Sequence, residues 1–255
     1  MLEIVPAATL ILLRDAKDGP PEILMVERGQ QLSFAGGNMV FPGGRVDPED
    51  ALIAADPELI VAGPPLDPDD MTARIAAIRE TIEEVGLAPA IDGLRDSAAL
   101  AEMRAAMAGG RTFGEMMRHF RLRLDPYQLH PFARWLPKVV AKRVFDTRFY
   151  VARAPDHDEA IADGTESLSC HWATAAAHMI RGDAGSHPMI FPTRRNLERI
   201  GQARCFDSAL AFLKAYPVET VSPWMEQRDG EPWLCIPDHL GYPVTGQPMA
   251  TVKRG

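Results

Sequence analysis

The chain has 255 residues, 46% of them hydrophobic, and a formal net charge of -8, so one elaborated domain over residues 1–255 is expected. The negative net charge argues against a nonspecific nucleic-acid-binding protein, which would need a basic face. The apolar run from Val5 to Leu13 is too short to span a bilayer. Three scattered cysteines fit a reducing compartment, and we expect a cytoplasmic protein without a nucleic-acid or membrane partner.

Hydrophobic periodicity and turn residues predict strands first and then helices between later strands. Strands are predicted at 7–13, 22–26, 132–137, 143–152, 168–172 and 233–236, with a short strand into Phe41, and helices at 71–85, 97–107, 113–122, 173–181, 194–200 and 207–216. The helix at 71–85 is expected to begin after an N-cap at Asp69 or Asp70 and to end at Gly86. This order indicates an α/β (α+β) fold with a mixed sheet between helices, and residues from about 190 to 255 are expected to form a helical extension.

The segment Phe41-Pro42-Gly43-Gly44 lies upstream of that helix and predicts a turn. Glycine lets a backbone approach a ligand closely and present its amide and carbonyl groups. Gly43 and Gly44 are therefore candidates for binding a substrate.

The helix at 71–85 carries three carboxylates on one side. At about 100° per residue, Glu80, Glu83 and Glu84 fall within a narrow arc. The apolar side chains of the opposite side belong to Ile75, Ile78, Ile82 and Val85. Like charges three and four residues apart repel each other, and a divalent cation such as Mg²⁺, which is commonly held by carboxylates and substrate phosphates, would relieve that repulsion. The alternative is a solvated acidic face.

Together the glycine segment and the acidic helix resemble the signature of the Nudix hydrolases, in which a glycine and a spaced acidic residue precede Arg-Glu-x-x-Glu-Glu-x-Gly and an aliphatic residue. The second half matches at Arg79, Glu80, Glu83, Glu84, Gly86 and Leu87. Gly44 and Asp50 match the first half, with aspartate where the family usually has glutamate, and Thr81 stands at a position that is more often aliphatic. The resemblance implies a Nudix-type α/β/α sandwich and hydrolysis of a diphosphate with Mg²⁺ or Mn²⁺.

The resemblance also implies roles for these residues. The catalytic residues that it implies are Arg79, Glu80 and Glu83. The metal ligands that it implies are Glu80, Glu83, Glu84 and the Gly44 carbonyl. Arg79 is expected to hold a catalytic glutamate through a bidentate pair. Glu80 is either a metal ligand or the base that activates water, and the sequence leaves the general base open. An additional acidic residue near the metal is supplied by Glu166 or Glu159, unless Glu166 only forms part of a polar turn.

About twenty extra residues separate Asp50 from Arg79. This insertion, residues 51–70, is expected to be a loop with a short helical turn near 51–55, and to form part of the wall that recognises the non-phosphate part of a substrate. Its length and place resemble the long-insert branch around the peroxisomal coenzyme A diphosphatases, although Ser33 stands where that branch has an arginine.

The resemblance to this branch implies coenzyme A or an acyl-CoA as the substrate. ADP-ribose or a dinucleotide is the alternative within the enzyme class, and a non-catalytic Nudix-fold binding or regulatory module is the alternative from another class. The expected partner is a small nucleotide-diphosphate molecule. The sequence does not decide whether the protein is a monomer or a homodimer.

Overall fold

A mixed eight-stranded sheet forms the centre of the computed structural model, which describes residues 3–31, 35–94, 97–138, 142–155 and 159–252. The strands are β1 (Glu3–Arg14), β2 (Glu22–Arg28), β3 (Met39–Val40), β4 (Gly43–Arg45), β5 (Ile91–Asp92), β6 (Arg123–Leu124), β7 (His130–Trp135), β8 (Arg143–Arg153), β9 (Ser167–Thr174), β10 (Thr220–Val221), β11 (Trp224–Arg228), β12 (Glu231–Cys235) and β13 (Gly246–Pro248). The large sheet has the order β10-β7-β8-β1-β2-β3, with β4 against β1 and β9 against β2. Because β1 is parallel to β8 but antiparallel to β2 and β4, the sheet is mixed, as predicted.

Helices cover both faces of this sheet. The helices are α1 (Pro48–Ala54), α2 (Pro68–Val85), α3 (Ser97–Ala108), α4 (Phe113–Phe120), α5 (Ala175–Asp183), α6 (Phe191–Ile200) and α7 (Phe206–Ala215). Successive side chains of a strand point to opposite faces. Leu10 and Leu12 of β1 therefore pack in one core with α1 to α4. Ile11 and Leu13 pack in a second core with α5 to α7 on the other face. The predicted α/β/α sandwich is confirmed.

Helix α2 has the amphipathic face that its sequence predicts. Its four apolar residues Ile75, Ile78, Ile82 and Val85 are fully buried. Gly86 ends the helix in the left-handed conformation, with φ of 63°, as expected. The predicted N-cap was wrong: Asp67 caps the helix by accepting a hydrogen bond from the Asp70 amide, and Pro68 occupies the first turn. Proline is favoured there because its missing N–H would have no intrahelical partner.

The insertion at 51–70 has more structure than the predicted loop. Helix α1 begins at Pro48, before the insertion, and the Asp47 and Asp50 side chains form a capping box at its start. Downstream, the Val61 amide donates to the Leu124 carbonyl at 2.8 Å, and Gly63 lies against the ring of Tyr127.

These contacts tie the insertion to residues 124–127, which lie beside the N-terminal half of α2. Arg74 in that half donates to the carbonyls of Pro126 and Leu129, next to the segment that the insertion contacts. The glutamates lie in the last turns of α2, and Asp50, the residue of α1 just before the insertion, reaches that end of the helix through Arg79. A wall formed by the whole insertion stays a prediction.

The C-terminal extension is only partly helical. Helices α6 and α7 confirm the first part of the prediction, but β11, β12 and β13 then form a separate three-stranded antiparallel sheet, so the helical prediction was wrong there. Asp229 and Gly230, both with positive φ, join β11 to β12, and this dipeptide is a strong hairpin signal that favours two strands over a helix. No helix in the described ranges is long and apolar enough to cross a membrane.

Candidate active site

Strand β4 brings two glycines against the acidic end of α2. Gly44 pairs with Ala8 of β1, and Gly43 pairs with Thr9. A Cβ on Gly43, which has φ of +150°, would lie 2.4 Å from the Ala8 carbonyl oxygen, and a Cβ on Gly44 would lie 2.5 Å from the carboxyl carbon of Glu80. A side chain at Gly43 would clash with the β1 backbone, and one at Gly44 would displace the Glu80 carboxylate from its present place.

Glu84 is held by this strand. Its side chain is 4% exposed, and its Oε2 accepts a hydrogen bond from the Gly43 amide at 2.9 Å. Its Oε1 lies 3.5 Å from Arg28 Nη1 and is buried without a hydrogen-bond partner in the part of the chain that the structure describes. A buried carboxylate oxygen without a hydrogen bond is costly, so this atom has the capacity to bind a further cation in addition to its ion pair with Arg28.

Arg79 joins α1 to the glutamates of α2. Its Nε and Nη2 donate to the two carboxylate oxygens of Asp50 at 2.9 and 3.0 Å, and its Nη1 donates to Glu80 Oε1 at 2.9 Å and to Glu83 Oε2 at 3.0 Å. Nη2 also donates to the Arg45 carbonyl. The expected bidentate pair therefore exists, but its partner is the buried Asp50 and not a glutamate. Arg79 is itself buried, which favours a role in orienting Glu80 and Glu83.

The glutamates have raised pKa values. Burial raises the pKa of Glu80 to about 7 against the opposing charge of Arg79. Burial raises the pKa of Glu84 to about 8, although the hydrogen bond from Gly43 opposes the shift. Burial also raises the pKa of Glu83. Keeping all three carboxylates ionised near neutral pH therefore calls for additional positive charge.

Glu166 lies in a polar turn, and its role beside a metal ion stays a prediction. The carboxylate of Asp163 accepts hydrogen bonds from the Glu166 and Ser167 amides at 3.1 and 2.7 Å, so the segment is a polar turn. The negative charge of Glu166 also contributes to the raised pKa values of Glu80 and Glu84, so it lies close enough to act on them. Glu159 is exposed, and its role stays a prediction.

Without divalent cations, the protein is expected to lose stability as the pH rises. A carboxyl with a raised folded-state pKa stabilises the folded protein fully below its unfolded pKa of 4.5, and this contribution is lost as the pH rises through about 7 for Glu80 and about 8 for Glu84. Melting temperatures in excess chelator from about pH 5.5 to 9 test this. Glu84→Gln should show a shallower decline, and identical declines in both proteins would contradict the raised pKa of Glu84.

The site contains residues for which the sequence predicted no role in the site. Asp47 lies 3.8 Å from Arg79, Arg28 lies beside Glu84, and Asp50 binds Arg79. Asp47-Pro48 at a helix start was a recognisable N-cap signal, whereas the contact of Arg28 with Glu84 joins distant parts of the chain and has no local signal. Ser33 lies outside the described residues.

Comparisons with known proteins identify the family. Residues 55–182, half of the chain, match the family described as the NUDT19 Nudix domain. A crystal structure of a NUDIX hydrolase from Alicyclobacillus acidocaldarius is 27% identical and has a TM-score of 0.66, covering 83% of this chain and 97% of that chain. A Caenorhabditis elegans protein named "Putative nudix hydrolase 7" is 24% identical over 185 residues, which are 72% of this chain and 57% of that protein's length. This chain belongs to the Nudix hydrolases, in the family of the NUDT19 Nudix domain.

Nudix hydrolases generally use divalent metal ions such as Mg²⁺ or Mn²⁺. Within the described ranges, no three carboxylate, histidine or cysteine side chains already surround one point as a metal cage. Glu80 and Glu83 instead share Arg79 Nη1, and one oxygen of Glu84 lacks a hydrogen-bond partner among the described residues. Oxygen donors with spare capacity are what Mg²⁺ and Mn²⁺ bind, so the residues present fit such an ion.

Proposed function

We propose that this protein hydrolyses a diphosphate linkage in a nucleoside diphosphate joined to another moiety, with Mg²⁺ or Mn²⁺. The observation that carries this proposal is the approach of Gly43 and Gly44 to the carboxylates of α2, where the buried Glu84 Oε1 atom has no hydrogen-bond partner among the described residues. Anionic carboxylates and an anionic diphosphate repel each other, so their meeting requires cations between them.

Each residue has a distinct part in this proposal. Glu80, Glu83, Glu84 and the Gly44 carbonyl would hold the ion, which when bound lowers the pKa of water and stabilises charge on the phosphoryl oxygens. Arg79 orients Glu80 and Glu83 through hydrogen bonds of 2.9 and 3.0 Å. The Gly43 amide fixes Glu84, and the choice of general base among the glutamates stays open.

Coenzyme A or an acyl-CoA is the favoured substrate. The length and place of the insertion support it, as does the match to the NUDT19 Nudix domain over 55–182. ADP-ribose or a dinucleotide is the alternative substrate. A binding module without turnover is disfavoured, because it would have no need of the carboxylate cluster on α2. A cytoplasmic location and a homodimer remain predictions.

Hydrolysis is expected only with a divalent cation. The purified protein would be incubated with coenzyme A, acetyl-CoA, ADP-ribose and a diadenosine polyphosphate, in Mg²⁺, Mn²⁺ or excess chelator, and the products identified by mass spectrometry. Coenzyme A should yield 4′-phosphopantetheine and 3′,5′-ADP, and a phosphomonoester should stay intact because the proposed reaction cleaves only a bond that joins two phosphoryl groups.

The other outcomes separate the alternatives. Full activity in excess chelator would overturn the proposed chemistry. A clear preference for ADP-ribose would discard the coenzyme A proposal and keep the diphosphatase. A folded protein that binds Mn²⁺ and a nucleotide without cleaving it would favour the binding module.

A further inference from the structure

The last turn of α2 is held by an arginine outside the family signature. The final carbonyl groups of a helix have no intrahelical partners. Arg104 of α3 donates from Nε to the Glu83 carbonyl at 2.9 Å and from Nη2 to the Glu84 carbonyl at 3.0 Å. Gly86 passes so close that a Cβ there would lie 2.9 Å from Arg104 Nη1. The guanidinium group thus binds the backbone of two proposed metal ligands in one fixed geometry.

The turn before β9 reaches the same carbonyl from another direction. The Asp163 amide donates to the Glu84 carbonyl at 3.0 Å, so that this oxygen accepts hydrogen bonds from both Arg104 and Asp163. The Asp163 carboxylate in turn accepts a hydrogen bond from the Glu166 amide at 3.1 Å. The opposite charges of Arg104 and Asp163 also attract each other. The end of α2 and the turn that carries Glu166 are therefore fixed relative to each other.

We propose that Arg104 and Asp163 are positioning residues for the metal site. They act through the backbone of Glu83 and Glu84 and set the place of the carboxylates without touching the ion or the substrate. This inference rests on the proposed function. Partners that orient metal ligands from behind typically contribute about 10- to 100-fold in metal affinity or activity, and we expect an effect of that size from Arg104.

Capping of the helix end is the competing explanation, because any cation near the C-terminus of a helix is stabilising. Arg104→Lys separates the two roles. A lysine keeps the positive charge but cannot reproduce the planar fork that reaches two carbonyls. The lysine variant should therefore recover the melting temperature that Arg104→Ala loses, while its Mn²⁺ affinity stays low.

The experiment measures Mn²⁺ binding by calorimetry, kcat, KM and the melting temperature for the wild type and both Arg104 variants. Asp163→Ala is a second variant that leaves Arg104 in place; it keeps the backbone amide of residue 163 and removes the carboxylate that holds the turn and attracts Arg104. Arg111→Ala is the matched control. Arg111 is an exposed arginine, and the glutamate with which it forms an ion pair, Glu115, lies in the first turn of α4.

Arg104→Ala is expected to weaken Mn²⁺ binding about 10- to 100-fold and to lower kcat more than it changes KM, and Asp163→Ala should act in the same direction. Mn²⁺ affinity and kcat within about twofold of the wild type in folded Arg104→Ala, or full recovery of Mn²⁺ affinity in Arg104→Lys, would overturn the proposal. A wild type that binds Mn²⁺ but cleaves no diphosphate would instead contradict the proposed function, and the Mn²⁺ affinities of the variants would still decide the role of Arg104.

Discussion

Glu83→Gln and Glu84→Gln are each expected to lower kcat by at least about 100-fold, because charge stabilisation by a bound metal contributes several kcal/mol and each 1.36 kcal/mol is about tenfold in rate. The melting temperature in the absence of metal should stay the same or rise, since each substitution removes one of several like charges. Steady-state kinetics at saturating Mg²⁺ and thermal unfolding in chelator measure the two effects separately.

The control for this pair is Glu115→Gln, which changes an exposed glutamate on α4 that pairs with Arg111. It should leave kcat unchanged. If Glu83→Gln and Glu84→Gln both unfolded the protein while activity per folded molecule stayed intact, the two glutamates would be structural and not part of the active site.

Asp50→Ala is expected to lower the free energy of unfolding by about 3–5 kcal/mol, the usual cost of removing one partner of a buried ion pair. Asp50 is fully buried and accepts both hydrogen bonds of the Arg79 fork. Without it, the buried guanidinium group keeps its hydrogen bonds to the Arg45 carbonyl and to Glu80 and Glu83, whose side chains are more exposed than that of Asp50. Urea unfolding at 25 °C measures the change.

Asp56→Ala is the matched control for Asp50→Ala. Asp56 lies just after α1 and also pairs with an arginine, Arg118, but that arginine is exposed. Solvent screens such a pair, so its loss should cost far less. Equal losses for the two variants would contradict a special role of the Asp50–Arg79 pair. Asp50→Ala should also lower kcat, because Arg79 would no longer hold Glu80 and Glu83 in place.

Local patterns were enough to predict α2 and its C-terminal end. The spacing of Ile75, Ile78, Ile82 and Val85 follows the period of a helix, and all four are buried. Gly86 could be predicted as the C-cap because glycine adopts positive φ without strain. The predicted start at Asp69 or Asp70 was wrong, because Asp67 is an equally good cap and Pro68, which is favoured in the first turn, follows it directly.

Contacts between distant residues could not be predicted in the same way. The helical period predicted that Glu84 lies on the same side of α2 as Glu80 and Glu83. The burial of Glu84 depends on β4, where Gly43 is 41 residues away in the sequence. The pairing of Arg79 with Asp50 spans 29 residues and an insertion. Arg104 lies on a helix whose sequence shows no sign that it contacts α2.

The most direct measurement is the position of Mn²⁺ in crystals of the wild-type protein, located from its anomalous scattering. We expect a peak between β4 and the end of α2, within about 2.0–2.6 Å of carboxylate oxygens of Glu80, Glu83 or Glu84 and near the Gly44 carbonyl. The peak should weaken or vanish in Glu84→Gln crystals grown under the same conditions. An active protein whose Mn²⁺ lies elsewhere, or whose Mn²⁺ peak is unchanged in Glu84→Gln, would contradict the assignment of these residues to the metal site.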